Sequence, residues 1–153
     1  MEKTVVIFKP DSLNRSLVGD ILSRFEHKGL QVIAMKMIKL DDPLLDEHYA
    51  HHKNKPFASR LWKFMKSSPV IAAVLEGRNA VETVRNMAGP TDGTKAPHGT
   101  IRGDFGVSTQ CNLIHVSDSH DSAKAELKRF FKPDEIFEWK RVDEKFLYAD
   151  DEK

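Results

Sequence analysis

Four short apolar runs, rich in β-branched residues, constrain the fold of this chain more than any other feature. They are "TVVIFKP" (residues 4–10), "LQVIAMKMIKL" (30–40), "PVIAAVLEG" (69–77) and "NLIHVS" (112–117). Apolar runs of this length, bounded by Pro, Gly or polar residues, are typical of buried strands. The sequence therefore predicts a sheet of four strands.

Segments with helical periodicity separate these strands. In "SLVGDILSRFEHKG" (residues 16–29) the apolar residues share one helical face, and Gly29 provides a C-terminal stop. Further helices are predicted over residues 42–52, 56–68, 79–89 and 117–131. This order of elements is typical of a βαββαβ ferredoxin-like sandwich, an α+β fold with a four-stranded antiparallel sheet and, we expect, helices on one face. At this length a single domain over residues 1–153 is expected.

One segment lacks a regular pattern. Residues 90–106 are rich in Gly and Pro and show little periodicity, which predicts a loop. A loop this long inside a compact domain is usually functional or disordered.

Composition excludes several classes of protein. The formal net charge of +1 gives no overall attraction to nucleic acid or to an anionic membrane, so an anion site must come from a few local cations. The single cysteine, Cys111, cannot form an intramolecular disulfide. No apolar run approaches the ~18–20 residues that span a bilayer, and the N-terminus has no signal-peptide pattern. A cytoplasmic protein without a membrane partner is expected.

Positive side chains recur where elements end, although the two common glycine-rich phosphate motifs are absent. Lys9 closes the first strand, Arg85 lies late in a helix, and Arg102 lies in "GTIRGDF". Taken singly, each is most simply a solvated surface charge. Gathered around one histidine, they would bind phosphate oxygens and stabilise a phosphoryl group in transfer.

His115 ends the last strand and is followed at once by small polar residues. Ser117, Asp118 and Ser119 can cap the next helix, and Glu126 lies two turns along it. A lone histidine at a strand end is more often structural than catalytic. A helix N-terminus beside it, however, offers free N–H groups suited to an anion. The residues alone leave both interpretations open.

A second group of histidines has helical spacing. His48, His51 and His52 are separated by three and four positions, so one helix face could hold a transition metal. No carboxylate or cysteine completes the set, which favours incidental surface histidines. Four nearby aromatic residues are more typical of a core or a shelf than of a base-stacking platform: Tyr49, Phe57, Trp62 and Phe64. Phe57, which follows a proline at a helix start, is expected nearest the surface.

Five motifs together resemble one family, the nucleoside diphosphate kinases. In order and spacing from about Thr4 to Tyr148, they are "FKPD", "HYAHHKNKPF", "SPVIAAVLEG", "GTIRGDF" and "NLIHVSDS". The resemblance implies a ferredoxin-like fold and a ping-pong reaction. The γ-phosphate of a nucleoside triphosphate moves to a histidine, here His115, and then to a nucleoside diphosphate. A neutral imidazole suits this step because it offers a nitrogen lone pair.

The resemblance also implies roles for individual residues. Glu126 would hydrogen-bond the other ring nitrogen of His115, supported by Ser117, and Lys9 would act near the γ-phosphate and the ribose. The positions that match nucleotide-binding residues are Lys9, Tyr49, Phe57, Arg85, Thr91, Arg102 and Asn112. Asn112, His115 and Ser117 would share one site as alternate residues of the strand end. Magnesium would arrive on the phosphates, with Asp118 nearest to it through water.

The implied partners are nucleoside triphosphates, nucleoside diphosphates and further copies of the chain in a homo-tetramer or homo-hexamer. One alternative is a catalytically weak relative that acts as a signalling or nucleic-acid-binding module. The chain lacks the RNP1 pattern and a basic excess, so no specific nucleic acid is expected. Another alternative is transfer of phosphate from His115 to protein histidines.

Three positions depart from the family pattern. Val116 stands where a glycine usually follows the catalytic histidine, so the turn there is expected to differ slightly. His51 stands at a position that is often acidic, which puts an indirect metal contact from that segment in doubt. Gly93 replaces a common proline and could loosen subunit assembly through a more flexible unfolded state.

Overall fold

The computed structural model describes residues 1–152. The strands are β1 (Glu2–Phe8), β2 (Gln31–Ile38), β3 (Val70–Gly77) and β4 (Ile114–Val116). The α-helices are α1 (Pro10–Asn14), α2 (Val18–His27), α3 (Asp42–His48), α4 (Ala58–Met65), α5 (Ala80–Ala88), α6 (Ile101–Phe105) and α7 (His120–Phe130). One short 3₁₀ turn lies between α3 and α4, at Ala50–His52. Three more follow α7, at Pro133–Glu135, Glu144–Phe146 and Asp150–Glu152. None of the described helices has both the length and the apolar character needed to cross a membrane.

The four strands form one antiparallel sheet in the order β2-β3-β1-β4. β1 pairs with β3 along its whole length and with the short β4 at its end, where Ile7 lies opposite His115. This order confirms the predicted ferredoxin-like sandwich. It also places the start of β4, at Ile114, next to the residues that follow β1.

Helices cover both faces of the sheet, so the expectation that they lie on one face is wrong. Val5 and Ile7 of β1 belong to a core with residues of α3 and α4, whereas Val6 and Phe8 belong to a second core with residues of α2 and α5. Successive strand residues point to opposite faces, and all four are fully buried. The unbroken apolar run in β1, rather than an alternating one, is the pattern of a strand buried on both sides.

Several element boundaries differ from the sequence prediction. The segment 90–106 is not entirely a loop, because it contains α6, and α1 follows β1 without having been predicted. Each of these helices has only five residues, too few to display a 3.6-residue period. The predicted helix over 42–52 ends as an α-helix at His48, and the last helix begins at His120 after the Ser119 hydroxyl accepts the Ser122 N–H at 3.1 Å.

Candidate active site

A cleft of about 700 Å³ opens where β4 ends. Every predicted site residue except Ser117 lines it: Lys9, Tyr49, Phe57, Arg85, Thr91, Arg102, Asn112, His115, Asp118 and Glu126. Ser117 is fully buried behind Glu126. The fold therefore gathers the scattered cations of the sequence around one histidine.

His115 is oriented by a chain of two hydrogen bonds. Its Nε2 lies 2.7 Å from one carboxylate oxygen of Glu126, and the other oxygen accepts the Ser117 hydroxyl at 2.6 Å. The Ser117 oxygen in turn accepts the Val5 backbone N–H at 3.1 Å, which ties the chain to β1. With Nε2 engaged, Nδ1 is the ring nitrogen whose lone pair is available when His115 is neutral.

His48 lies directly against the His115 ring, which corrects the reading of it as a surface histidine. The two ring centroids are 4.4 Å apart at an interplanar angle of 77°. Burial, followed by the neighbouring His115 and Arg129, holds the pKa of His48 far below its ordinary value, so the ring stays neutral. His51 and His52 instead pack against each other with centroids 3.9 Å apart. The one sequence signal for His48 was its place in "HYAHHKNKPF".

Three potential metal ligands of the described chain cluster here: His48, His115 and Glu126. Two of them, His115 and Glu126, are already hydrogen-bonded to each other. Donor atoms of His48, His115 and Glu126 lie within 4.8 Å of one another. The His115–Glu126 distance is that of a hydrogen bond, and Nη1 of Arg129 lies 3.4 Å from Nδ1 of His48. A guanidinium at that lone pair opposes a bound cation.

Lys9 and Asn112 lie on the buried, inner wall of the cleft. The Lys9 ammonium donates to Oδ1 of Asn112 at 2.6 Å, and Nδ2 of Asn112 donates to the carbonyls of Thr91 and Thr109 at 2.9 and 2.8 Å. Burial, followed by the charge of Arg102, lowers the pKa of Lys9 to about 8. Lys9 is therefore still mainly cationic near neutral pH.

Arg102 is a buried cation whose guanidinium binds the backbone. Nε donates to the carbonyl of Asn112 at 3.2 Å, Nη2 to that of Ile114 at 2.8 Å, and Nη1 to that of Gly89 at 2.7 Å. Burial, followed by Arg85, lowers its pKa to about 10, so it remains charged. Arg102 thus joins the end of α5 to the segment that leads into β4.

The opposite side of the cleft is open to solvent. The Arg85 guanidinium pairs with the carboxylate of Asp118, and both side chains are exposed. Phe57 is 38% exposed, as the sequence predicted. Tyr49 is buried, and its hydroxyl has no hydrogen-bond partner among the described residues. Burial, followed by Glu126, raises the pKa of Tyr49, so the hydroxyl stays protonated.

The backbone bends at Leu113, not at Val116. Val116 is an ordinary strand residue paired with Val6, whereas Leu113 has a φ of 76°. This bend corrects the expected strand alternation: Asn112 and His115 are three residues apart, and a regular strand would turn them to opposite faces. Asn112 precedes β4 and reaches the cleft because the chain turns at Leu113.

Gly93 has a local steric role. A Cβ at this position would lie 2.7 Å from the carbonyl carbon of Gly106, so only glycine permits this approach of the two loop segments. Its effect on assembly stays a prediction.

A ferredoxin-like sheet whose edge strand carries a carboxylate-oriented histidine into a cationic cleft defines a phosphate-transferring enzyme. The sequence model described as Nucleoside diphosphate kinase matches residues 2–136, and the chain belongs to this family. It is therefore a nucleoside diphosphate kinase by activity, and the reading as a signalling or nucleic-acid-binding module is not favoured.

Known proteins similar to this chain carry the same description. The nucleoside diphosphate kinase of Parabacteroides distasonis is 51% identical over 152 residues, covering 99% of both chains. That of Pyrococcus horikoshii is 52% identical over 144 residues, covering 92% of both. Among solved structures, a halophilic nucleoside diphosphate kinase from Halobacterium salinarum in complex with CDP is 43% identical, with a TM-score of 0.94 over 97% of this chain and 99% of that one.

Proposed function

We propose that this nucleoside diphosphate kinase works by a ping-pong mechanism through a phosphohistidine at His115. The observation that carries the proposal is the hydrogen bond between Nε2 of His115 and the carboxylate of Glu126, which accepts it and leaves Nδ1 free beside a cationic cleft. The Nδ1 lone pair attacks the γ-phosphorus, the bond to the β-phosphate oxygen breaks, and the nucleoside diphosphate leaves. A second nucleoside diphosphate then takes the phosphoryl group from Nδ1 through an oxygen of its own β-phosphate.

Glu126 and Ser117 orient the ring in this mechanism. A buried carboxylate that accepts from both His115 and Ser117 fixes which ring nitrogen carries the proton, and it stabilises positive charge on the ring as the N–P bond forms. Lys9 stabilises charge on the γ-phosphate in the same step. Glu126, held by Ser117, and the ammonium of Lys9 thus supply the electrostatic stabilisation of the transferring phosphoryl group.

The remaining residues bind the nucleotide. Lys9 and Asn112, already in contact with each other, bind the ribose 3′-hydroxyl. Arg85, Thr91 and Arg102 hold the β- and γ-phosphates, because guanidinium and hydroxyl groups donate to phosphate oxygens. The base stacks on the exposed ring of Phe57. Stacking without hydrogen bonds to the base edges accepts any nucleobase. Tyr49 lines the cleft beneath the phosphates.

Magnesium would enter this cleft bound to the phosphates of the nucleotide. Mg²⁺ prefers oxygen ligands, keeps several waters and is commonly held by one or two carboxylates plus substrate phosphates. The exposed carboxylate of Asp118 provides such a group at the rim and would hold the ion through water. When bound, the ion screens the negative charge of the phosphates.

Assembly and location complete the proposal. Residues 1–153 form a single domain that associates as a homo-tetramer or homo-hexamer in the cytoplasm. Support for association comes from apolar side chains that the described chain leaves exposed, on the edge strand β2 and in the segment after α7: Met35, Met37, Phe137, Trp139 and Phe146. Sedimentation velocity tests it, since a species of one chain at micromolar concentration would overturn the oligomer.

Phosphoenzyme trapping tests the mechanism. Incubation with γ-labelled ATP and Mg²⁺ should give an acid-labile, base-stable label that leaves on addition of GDP or dTDP. His115→Ala should form no label, whereas the control His120→Ala, an exposed histidine five positions away, should label normally. Absence of label in the wild type would refute the mechanism. A label that neither diphosphate removes would instead favour transfer to protein histidines.

A further inference from the structure

The backbone just before the proposed nucleophile is held in an unfavourable conformation. Leu113 is fully buried and has a φ of 76°, in the left-handed region that side-chain-bearing residues avoid. The Ile114 N–H donates to the Asn112 carbonyl at 2.9 Å, which closes a γ-turn centred on Leu113. A γ-turn of positive φ is rare and strained, and such strain persists only where surrounding contacts determine it.

The contacts that hold Leu113 come from the turn between β1 and α1. Its carbonyl accepts the Lys9 backbone N–H at 2.8 Å and the Ser12 hydroxyl at 2.6 Å. Its N–H donates to Oδ2 of Asp11 at 3.0 Å. Both polar backbone groups of Leu113 are therefore satisfied by residues about one hundred positions earlier in the chain.

Arg102 fixes the residues on either side of the turn. Through the carbonyls of Asn112 and Ile114 it prevents the two flanking peptide groups from rotating away. The γ-turn then has a defined consequence, since it turns the Asn112 side chain into the cleft that His115 also lines. Without the turn, the odd spacing of these two residues would place them on opposite sides of the strand.

We propose that Asp11 and Ser12 are positioning residues for phosphoryl transfer: they hold Leu113 in its γ-turn and so place Asn112 and His115 on one wall of the cleft. The inference rests on the proposed role of His115 as the nucleophile. Neither residue lines the cleft, so both act through the backbone and not on the nucleotide.

Asp11 also has an electrostatic effect that Ser12 lacks. Burial, followed by the charge of Arg102, lowers the pKa of Lys9, and Asp11 and Cys111 partly offset this effect, so the pKa is about 8. Burial is the main cause that lowers the pKa of His48 and of His52, and the charge of Lys9 contributes to both shifts. Loss of the Asp11 charge should therefore lower the pKa of Lys9 further, whereas loss of the Ser12 hydroxyl should not.

Three variants and one control separate geometry from charge. Ser12→Ala deletes one bond to Leu113, Asp11→Ala deletes another together with the charge, and Asp11→Asn keeps an acceptor of the same shape without the charge. The control is Asn14→Ala in the same helix, whose side chain bonds Pro10 and not Leu113. Each variant is checked by urea unfolding, and Asp11→Asn replaces Asp11→Ala if the latter does not fold.

Single-turnover phosphorylation by γ-labelled ATP is the main measurement. We expect the rate to fall about 10-fold in Ser12→Ala and about 100-fold in Asp11→Ala, because small displacements of a reacting group cost this much. The Kd for ADP should rise far less than the rate falls, by about 3-fold or less in both, because Asn112 is only one of several groups that bind the nucleotide. Asn14→Ala should match the wild type. In Asp11→Asn the alkaline limb of the pH–rate profile should move to lower pH, while in Ser12→Ala it should stay in place.

The outcomes distinguish this inference from the proposed function. If wild type labels at His115 and both Ser12→Ala and Asp11→Ala label at the wild-type rate, the positioning role is wrong and the phosphohistidine stands. Equal losses of rate and of ADP affinity would also overturn it, because they would indicate a general distortion of the binding cleft. A wild type that forms no label would remove the proposed function itself.

Discussion

The inner and outer walls of the cleft differ in how their polar side chains are held. The inner wall consists of Lys9, Arg102 and Asn112, which are buried and bonded to the protein's own side chains and carbonyls. The outer wall consists of Phe57, Arg85 and Asp118, which are exposed and make at most one ion pair across the rim. One wall is thus fixed before a nucleotide arrives, and the other is free to adapt.

This difference suggests a division of labour within one cleft. Groups that are already oriented stabilise a transition state without reorganisation, so the inner wall suits the reacting phosphoryl group. Exposed groups gain contacts only when a ligand covers them, so the outer wall suits the base and the distal phosphates. The following predictions test the division, from the largest expected effect to the smallest.

The two arginines should differ most in their effect on folding. Arg102→Ala removes three hydrogen bonds from a buried guanidinium to backbone carbonyls, so we expect the free energy of unfolding to fall by about 3 kcal/mol. Arg85→Ala removes an exposed ion pair and should change it by less than about 1 kcal/mol. Urea denaturation measures both. Equal losses would show that the walls are not held differently.

Glu126 should affect chemistry far more than binding. Glu126→Ala removes the group that orients His115, so single-turnover phosphorylation should fall about 100-fold with little change in ADP affinity. Ser117→Ala, which weakens only the support of that carboxylate, should have a smaller effect of the same kind. An unchanged single-turnover rate in Glu126→Ala would refute the orienting role.

Phe57 should show the opposite pattern. Phe57→Ala removes a stacking surface, so KM should rise about 10-fold for purine and pyrimidine nucleotides alike, with kcat little changed. Steady-state kinetics with several nucleoside diphosphates test this, and Val142→Ala, an exposed apolar residue outside the cleft, is the control. A loss confined to kcat would place Phe57 in the chemical step instead.

His48 should make stability depend on pH. The folded protein keeps this buried ring neutral, whereas the unfolded chain protonates it below pH ~6.5. The unfolded state then binds the additional proton, so the stabilisation is complete above that pH and falls by about 1 kcal/mol per pH unit below it. Urea unfolding at pH values between 7.5 and 5.5 should show that the free energy of unfolding depends less steeply on pH in His48→Gln than in the wild type.

The control for this prediction is His98→Gln, because the His98 side chain is almost fully exposed and should leave the slope as it is. Identical slopes in the wild type and in His48→Gln would mean that another group causes the acid sensitivity.

Much of this molecule follows from local sequence patterns. All four strands were predicted, as were the helices over residues 16–29 and 79–89, because strand and helix periods are visible within about ten residues. The five-residue helices α1 and α6 are not predictable from the sequence pattern, because they are too short to show a helical period. The unbroken apolar run of β1 is itself the pattern of a strand covered on both faces, so the second layer of helices is consistent with the local sequence.

The candidate site divides in the same way. Motif order indicated the residue types and their family, including the pairing of His115 with a glutamate one helix later. It did not indicate that His48 packs on His115, or that Arg102 is anchored on three carbonyls. These contacts join segments distant in sequence, and no local period reports them.

By itself the sequence determined the strands, the family and the chemical groups of the cleft, because each depends on residue type and short-range spacing. Only the tertiary structure decided how "NLIHVSDS" brings Asn112 and His115 to one wall. The turn at Leu113 is locally unfavourable. The hydrogen bonds that hold it come from Asp11 and Ser12, which follow the first strand about one hundred positions earlier in the chain. A strained backbone of this kind exists only where the folded chain supplies its partners.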